Sequence, residues 1–170
     1  MVTLTGFADE ISPDLEVQLD VLASEGISHL ELRGVWGKNV LDLTDEEVGR
    51  VKARLSERGF KVSSIGSPIG KIKITDPFEP HIERFRRAVY VAREMEAPYI
   101  RIFSFFIPRG DDPAVYREEV LSRMKQSWPG SRSRKGSCFC TRTRKKSTAI
   151  TESAARDSAG LRFPEGAGGL

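Results

Sequence analysis

Strand-like and helix-like segments alternate strictly through the first 125 residues, and this alternation constrains the fold more than any other feature of the chain. VTLTGFA, from Val2 to Ala8, is a short β-prone run. Ser12-Pro13-Asp14 then supplies a cap and a proline for a helix start, and Leu15, Leu19, Leu22 and Ala23 recur on one helical face up to Gly26. ISHLELR reads as a second strand. Thr44 with Glu47 three residues on forms a capping box, and its helix presents Val48, Val51 and Leu55 before closing at Gly59. FKVSSIG is the third strand. A helix from about Pro80 carries Ile82, Phe85, Ala88, Val89 and Ala92, PYIRIFSFF is the fourth strand, and Asp112-Pro113 opens a last helix through Tyr116, Val120 and Leu121.

Four strand–helix units at a period of roughly 30–35 residues mean parallel strands joined by right-handed helical crossovers. An open doubly wound sheet and a (βα)8 barrel both satisfy that pattern. No G-x-G-x-x-G follows the first strand, which removes the main argument for a dinucleotide fold. Polar residues instead close every strand: Asp9-Glu10, Glu31-Leu32-Arg33, Ser67-Pro68, and Arg101 through Ser104. The carboxyl ends of the strands are where a barrel keeps its active site. A complete barrel needs about 250 residues and eight units. The expected fold is therefore α/β, the first half of a (βα)8 TIM barrel over residues 1–125, followed by a basic tail over residues 126–170 that is expected to be disordered.

Charge divides the chain at the same seam. Residues 1–125 hold 18 Lys+Arg against 21 Asp+Glu, whereas residues 126–170 hold 9 against 3, so the overall +3 averages two unlike pieces. No run approaches the ~18 apolar residues of a membrane span, and MVTLTGFADE lacks the pattern of a secretory signal. Cys138 and Cys140, one residue apart, do not make a disulfide framework, so a cytoplasmic location is expected.

GFADEIS, HLELRGVWGKNVLDLTDEE, KVSSIGSPIGKI and YIRIFSFF resemble the first half of a sugar phosphate isomerase/epimerase of the xylose isomerase-like TIM barrel superfamily, over roughly residues 2–125. ELR..WGKNVLDL together with SSIGSPIGK is the specific part of the match. The resemblance implies a barrel that isomerises or epimerises a sugar or polyol derivative by proton transfer next to a carbonyl, assisted by a divalent metal. It also implies that the metal ligands come from strands five to eight. Residues 1–125 contain none of those strands, so the chain is expected to be inactive by itself and to bind no metal.

The tail re-reads as a shifted frame. One base earlier, the first base of each visible codon becomes the middle base of a new one and largely sets its polarity. Ser137, Cys138, Phe139 and Cys140 then become four apolar residues in a row, as suits a buried parallel strand, and the positions after Thr141 become polar and largely acidic. One allowed reading is FLLL followed by HENE, which resembles the family's fifth strand and its metal-binding glutamate. Residues 126–170 are accordingly read as out-of-frame translation. As a zinc site, Cys138-Phe139-Cys140 lacks the ligand number and spacing, with no histidine in the tail. Arg132, Arg134, Lys135, Arg142, Arg144, Lys145 and Lys146 could bind phosphate backbones non-specifically. A binding module with a basic arm for nucleic acid or another anionic partner is therefore the alternative reading, and not the expected one.

The candidate site residues lie at the strand ends. Glu31, the best catalytic candidate, could orient a substrate hydroxyl or act as a base if burial raised its pKa; a structural ion pair with Arg33 explains it equally well. Arg33 belongs to the candidate binding rim. Arg101 could hold a substrate oxygen or phosphate, or form a salt bridge with a neighbouring strand end. Trp36 and Phe103 could line a sugar face, and Ser67 lies in a loop that brings backbone near the substrate. His29 falls on the stability face and His81 in the first turn of a surface helix, so neither is expected to be a base. Half a barrel also leaves open strand edges, so among Leu4, Leu30, Leu32, Val62, Ile65, Ile100 and Ile102 the interior-facing members are expected to be partly exposed, favouring instability, aggregation or self-association.

Overall fold

The computed structural model describes residues 3–126 and 138–141. Its main sheet is parallel, in the order β1 (His29–Leu32), β4 (Lys61–Ile65), β5 (Tyr99–Ile102) and β6 (Cys138–Thr141). Between β1 and β4 the chain makes a two-stranded hairpin, β2 (Gly34–Val35) and β3 (Lys38–Asn39), and then α2 (Asp45–Glu57). Helices α1 (Leu15–Ser24), α3 (Glu79–Glu94) and α4 (Arg117–Gln126) complete the alternation. This is the four-unit βα half-barrel that the pattern predicts.

The helix starts follow local chemistry. The Asp14 carboxylate accepts from the Glu16 and Val17 amides at the head of α1. Thr44 Oγ1 accepts from the Glu47 amide while the Glu47 carboxylate accepts from the Thr44 amide, so the capping box is complete. Asp112 caps a 3-10 turn, Pro113–Tyr116, that leads into α4.

Three features differ from the sequence reading. The first expected strand forms no ladder: between Thr3 and Phe7 one backbone bond joins the sheet, from the Glu31 amide to Gly6 O at 2.9 Å. An edge segment of this length, interrupted by a glycine and lying beside a register shift at Leu30/Glu31, has too few partners to hold a ladder. The hairpin was not anticipated. Its turn puts Trp36 (φ 54°) and Gly37 (φ 73°) in the left-handed region, the conformation of a tight two-residue hairpin turn, and tryptophan is not a residue that advertises such a turn.

The third difference concerns the core. Leu30, Leu32, Val62, Ile65, Ile100 and Ile102 are all buried in one apolar cluster with side chains of α1, α2 and α3, so they point at the helices and not into the barrel. Only Leu4 is exposed, at 66%. The opposite face carries His29, Glu31, Arg33, Tyr99 and Arg101 by the two-residue strand period; on β4 the register shift skips Ser63 and sets Ser64 opposite Glu31, which keeps Val62 and Ile65 on the helix side, and Thr5 Oγ1 meets Ser63 Oγ at 2.6 Å. The half-barrel therefore turns a largely polar surface inward, and the expected exposure of aliphatic side chains does not occur. Self-association loses that argument and retains only the sheet edges.

Within the segment expected to be a disordered tail, Cys138–Thr141 pair with Tyr99–Ile102 and occupy the place of a fifth barrel strand. The open edge of β5 offers the backbone groups for that pairing. The other residues from 127 onward lie outside the described residues, and with them the basic cluster.

Candidate functional site

The carboxyl ends of the strands converge on an alternating stack of cations and rings. Phe7 lies between two guanidinium groups, Arg33 at 4.8 Å and Arg101 at 4.6 Å from its ring centre. Phe103 lies between Arg101 at 5.1 Å and the Lys71 ammonium at 4.7 Å. The five side chains come from four strand-end segments, so the stack is made by the fold and not by any local motif. Each cation–ring contact contributes about 0.5–2 kcal/mol, with the larger values for desolvated cations.

Arg33 is fixed on its other side by the 3-10 turn Ala8–Glu10. Its Nε donates to Asp9 Oδ2 at 2.7 Å and its Nη1 to Glu10 Oε1 at 3.1 Å. The hydrogen bond to Asp9, with the Asp9 and Glu10 charges adding to it, raises the guanidinium pKa above its ordinary value. Gly66 explains how β4 approaches so closely: a Cβ there would lie 2.6 Å from Arg33 Cβ. Arg101 is buried, and its Nη2 donates to Gly66 O at 3.0 Å. Ser67 Oγ donates to Arg101 O at 2.5 Å and accepts from the Ile69 amide, which ties the β4 loop to β5. Beside the stack is a cavity of about 290 Å³ lined by Asp9, Arg33, Gly34, Val35, Lys38 and Asn39, among others. Asp9 Oδ1 is buried and accepts no hydrogen bond from the described residues.

Arg33, Ser67, Arg101 and Phe103 thus come together as the sequence suggests. Ser67 is wholly buried and works on the backbone. Glu31 is half-buried on the inward face, two residues below Arg33, and no ion pair to its carboxylate occurs among the described residues. The alternative of a Glu31–Arg33 pair gives way to Asp9 and Glu10, because same-face neighbours on one strand are ~7 Å apart while the 3-10 turn brings its carboxylates directly to the guanidinium. Arg101 makes a carbonyl contact with Gly66 and stacks on two rings, Phe7 and Phe103. Trp36 lies outside the group: it sits at the hairpin tip beneath Arg50 of α2, 5.0 Å from the guanidinium.

His81 was expected on the surface and is buried, at 8% exposure, between Phe78 and Phe105. Loops that fold over the first turn of α3 cover it, and helical periodicity carries no trace of that cover. Sequence reasoning also passed over Phe7 and Lys71. Asp9 was visible only as a polar strand end.

Among the described residues no group of three or more His, Cys, Asp or Glu side chains is placed to hold a metal ion. Asp9 and Glu10 both pair with Arg33, whose positive charge opposes a second cation beside them, so the residues at this rim do not fit a divalent metal. No helix among the described residues is long and apolar enough to cross a membrane.

No family model and no curated protein matches the sequence. Solved structures do match. A xylose isomerase-like TIM barrel protein from Mycobacterium smegmatis, crystallised with magnesium, is similar with a TM-score of 0.66 at 15% identity, over 92% of this chain and 61% of its own. A D-tagatose 3-epimerase-like protein gives 0.60 at 12% identity, over 81% and 51%. An AP endonuclease of family 2 from Brucella melitensis gives 0.53 at 11% identity, over 75% and 50%. The chain spans 50–61% of the length of these three proteins. The likeness and the strand order together establish the fold as that of the first half of a (βα)8 barrel.

Proposed function

We propose that this chain is the substrate-holding half of a barrel that isomerises or epimerises a sugar or polyol derivative, and that it has no turnover by itself. The observation that carries the reading is the Arg33–Phe7–Arg101–Phe103–Lys71 stack, which concentrates three cations at the strand ends beside the buried Asp9 oxygen. Cations held against rings are weakly hydrated and suit an anionic substituent of the substrate. Asp9 Oδ1 can accept from a substrate hydroxyl, and Glu31 lies deeper on the same face. Proton transfer requires groups from the strands that follow β6, and no step is assigned to a metal at this rim.

Inorganic phosphate is the first probe. Titrated into the full chain, it should shift the NMR signals of Arg33, Lys71 and Phe103, with Lys71→Ala weakening the effect. Unmoved signals at these residues would remove the reading. We further infer that residues 126–170 are out of frame and that catalysis appears only when the barrel is completed. Sequencing the DNA across the codons for Met124 to Ser127 tests the frame. The basic composition of residues 126–170 supports a second reading, an arm for nucleic acid. It requires salt-sensitive DNA binding that disappears when the chain stops at Gln126.

A further inference from the structure

The loop Gly66–Ile74 forms one wall of the rim and is zipped to the chain after β5. Ile69 O accepts from the Phe103 amide at 2.7 Å, Ile72 O from the Phe106 amide at 2.8 Å, and Phe106 O from the Ile74 amide at 2.9 Å. Gly70 sits in the middle of this zipper with φ +84°, so close to Phe103 that a Cβ would lie 1.8 Å from its carbonyl oxygen. The Gly70 N–H points inward and donates to His81 Nε2 at 2.7 Å. A backbone N–H can only donate, so Nε2 carries no hydrogen and His81 is the neutral tautomer protonated on Nδ1.

We propose that His81 is the pin of this loop: neutral, it holds Gly70 and keeps Lys71 against Phe103, and protonated, it lets the loop go. A proton taken from solvent onto Nε2 would set one N–H against another and abolish the bond. The surroundings favour the neutral form. Burial between Phe78 and Phe105 lowers the pKa most, and the positive charges of Arg84 on α3 and Arg123 on α4 lower it further. Arg84 is paired with Asp42, and Arg123 with Glu119 while also donating to Asp76 O. From the loop itself, the Asp76 carboxylate is engaged by the Lys73 amide and the Lys71 ammonium lies over Phe103. The consequence for a ligand, weaker capture in acid, rests on the anion-binding reading of the rim; the pin itself does not.

Amide exchange of the full chain, followed by NMR from about pH 7.5 to about pH 4.5 alongside the His81 titration, tests the pin. Gly70 protection, corrected for intrinsic exchange, should fall roughly tenfold across that titration, the equivalent of one hydrogen bond. The Leu30 and Ile100 amides should stay protected. His81→Gln, whose side-chain oxygen accepts without titrating, should remove the step. Flat Gly70 protection, a step that persists in His81→Gln, or simultaneous loss at Leu30 and Ile100 overturns the proposal. If His81→Gln does not fold, the wild-type titration decides alone, because both signals come from one chain. Phosphate titrated at about pH 7.5 reports separately on the rim: no binding there, with the exchange step intact, removes the anion reading and leaves the pin.

Discussion

Replacing Gly70 by alanine should cost far more than the same change at Gly26, although both glycines have positive φ (+84° and +69°). At Gly26, the residue after the C-cap of α1, an added Cβ meets nothing within 4 Å. Gly26→Ala therefore pays only for a left-handed alanine, about 1 kcal/mol. At Gly70 the same strain applies, and the Cβ would lie 1.8 Å from Phe103 O where about 3.0 Å is the closest real approach. Backbone must move by about 1.2 Å, and Phe103 follows directly on β5 and is tied to the loop by its N–H bond to Ile69 O. The displacement breaks the Gly70–His81 bond and loosens the Phe103–Ile69 bond, each worth about 0.5–1.5 kcal/mol. Gly70→Ala should lose about 3 kcal/mol in all, a large part of the ~5–15 kcal/mol that a domain of this size possesses. Urea unfolding followed by far-UV circular dichroism measures both variants. Equal losses at the two positions would refute the packing of this loop against β5.

Further expectations concern the rest of the chain. Because the folded pKa of His81 is lowered, its stabilising effect is full above the unfolded value of about 6.5 and is lost as pH falls through the folded value; wild type should lose urea resistance relative to His81→Gln only on the acid side. Thr44→Ala removes the side-chain cap of α2 and should cost about 1 kcal/mol in thermal or urea melts. Ile100→Ala, at a wholly buried position under the helices, should cost about 2–5 kcal/mol, whereas Ser63→Ala on the polar inward face should cost well under half as much. Comparable losses at the two would mean that the inward face is the core. Arg33→Leu strips Asp9 of its partner and should destabilise by about 1–3 kcal/mol, with Asp9→Asn in the same chain recovering part of the loss.

Much of the fold was legible because its causes are local. The Asp14 cap, the Thr44–Glu47 box and the prolines at the heads of α3 and of the 3-10 turn before α4 act within one turn of chain. The apolar spacing of α1 and α2 reports a single buried stripe. The strand ends were legible too, since any parallel βα unit puts its loops there, and Arg33, Ser67, Arg101 and Phe103 were placed at the rim on that basis. Which way a strand faces was harder. Period-two alternation shows that Leu30 and Leu32 share a side, but whether that side meets helices or the barrel interior depends on how the helices cross over.

The sequence by itself determined the alternation of strands and helices, their caps, and the segments that would form the rim, because those depend on neighbours a few residues away. Tertiary structure alone decided that Phe7 would stand between Arg33 and Arg101, that Asp9 and Glu10 rather than Glu31 would hold Arg33, and that His81 would be buried against Gly70. Those contacts join residues 11 to 94 positions apart along the chain. Their energies depend on the distances at which the packed sheet sets its strand ends, and a linear pattern carries no such distances.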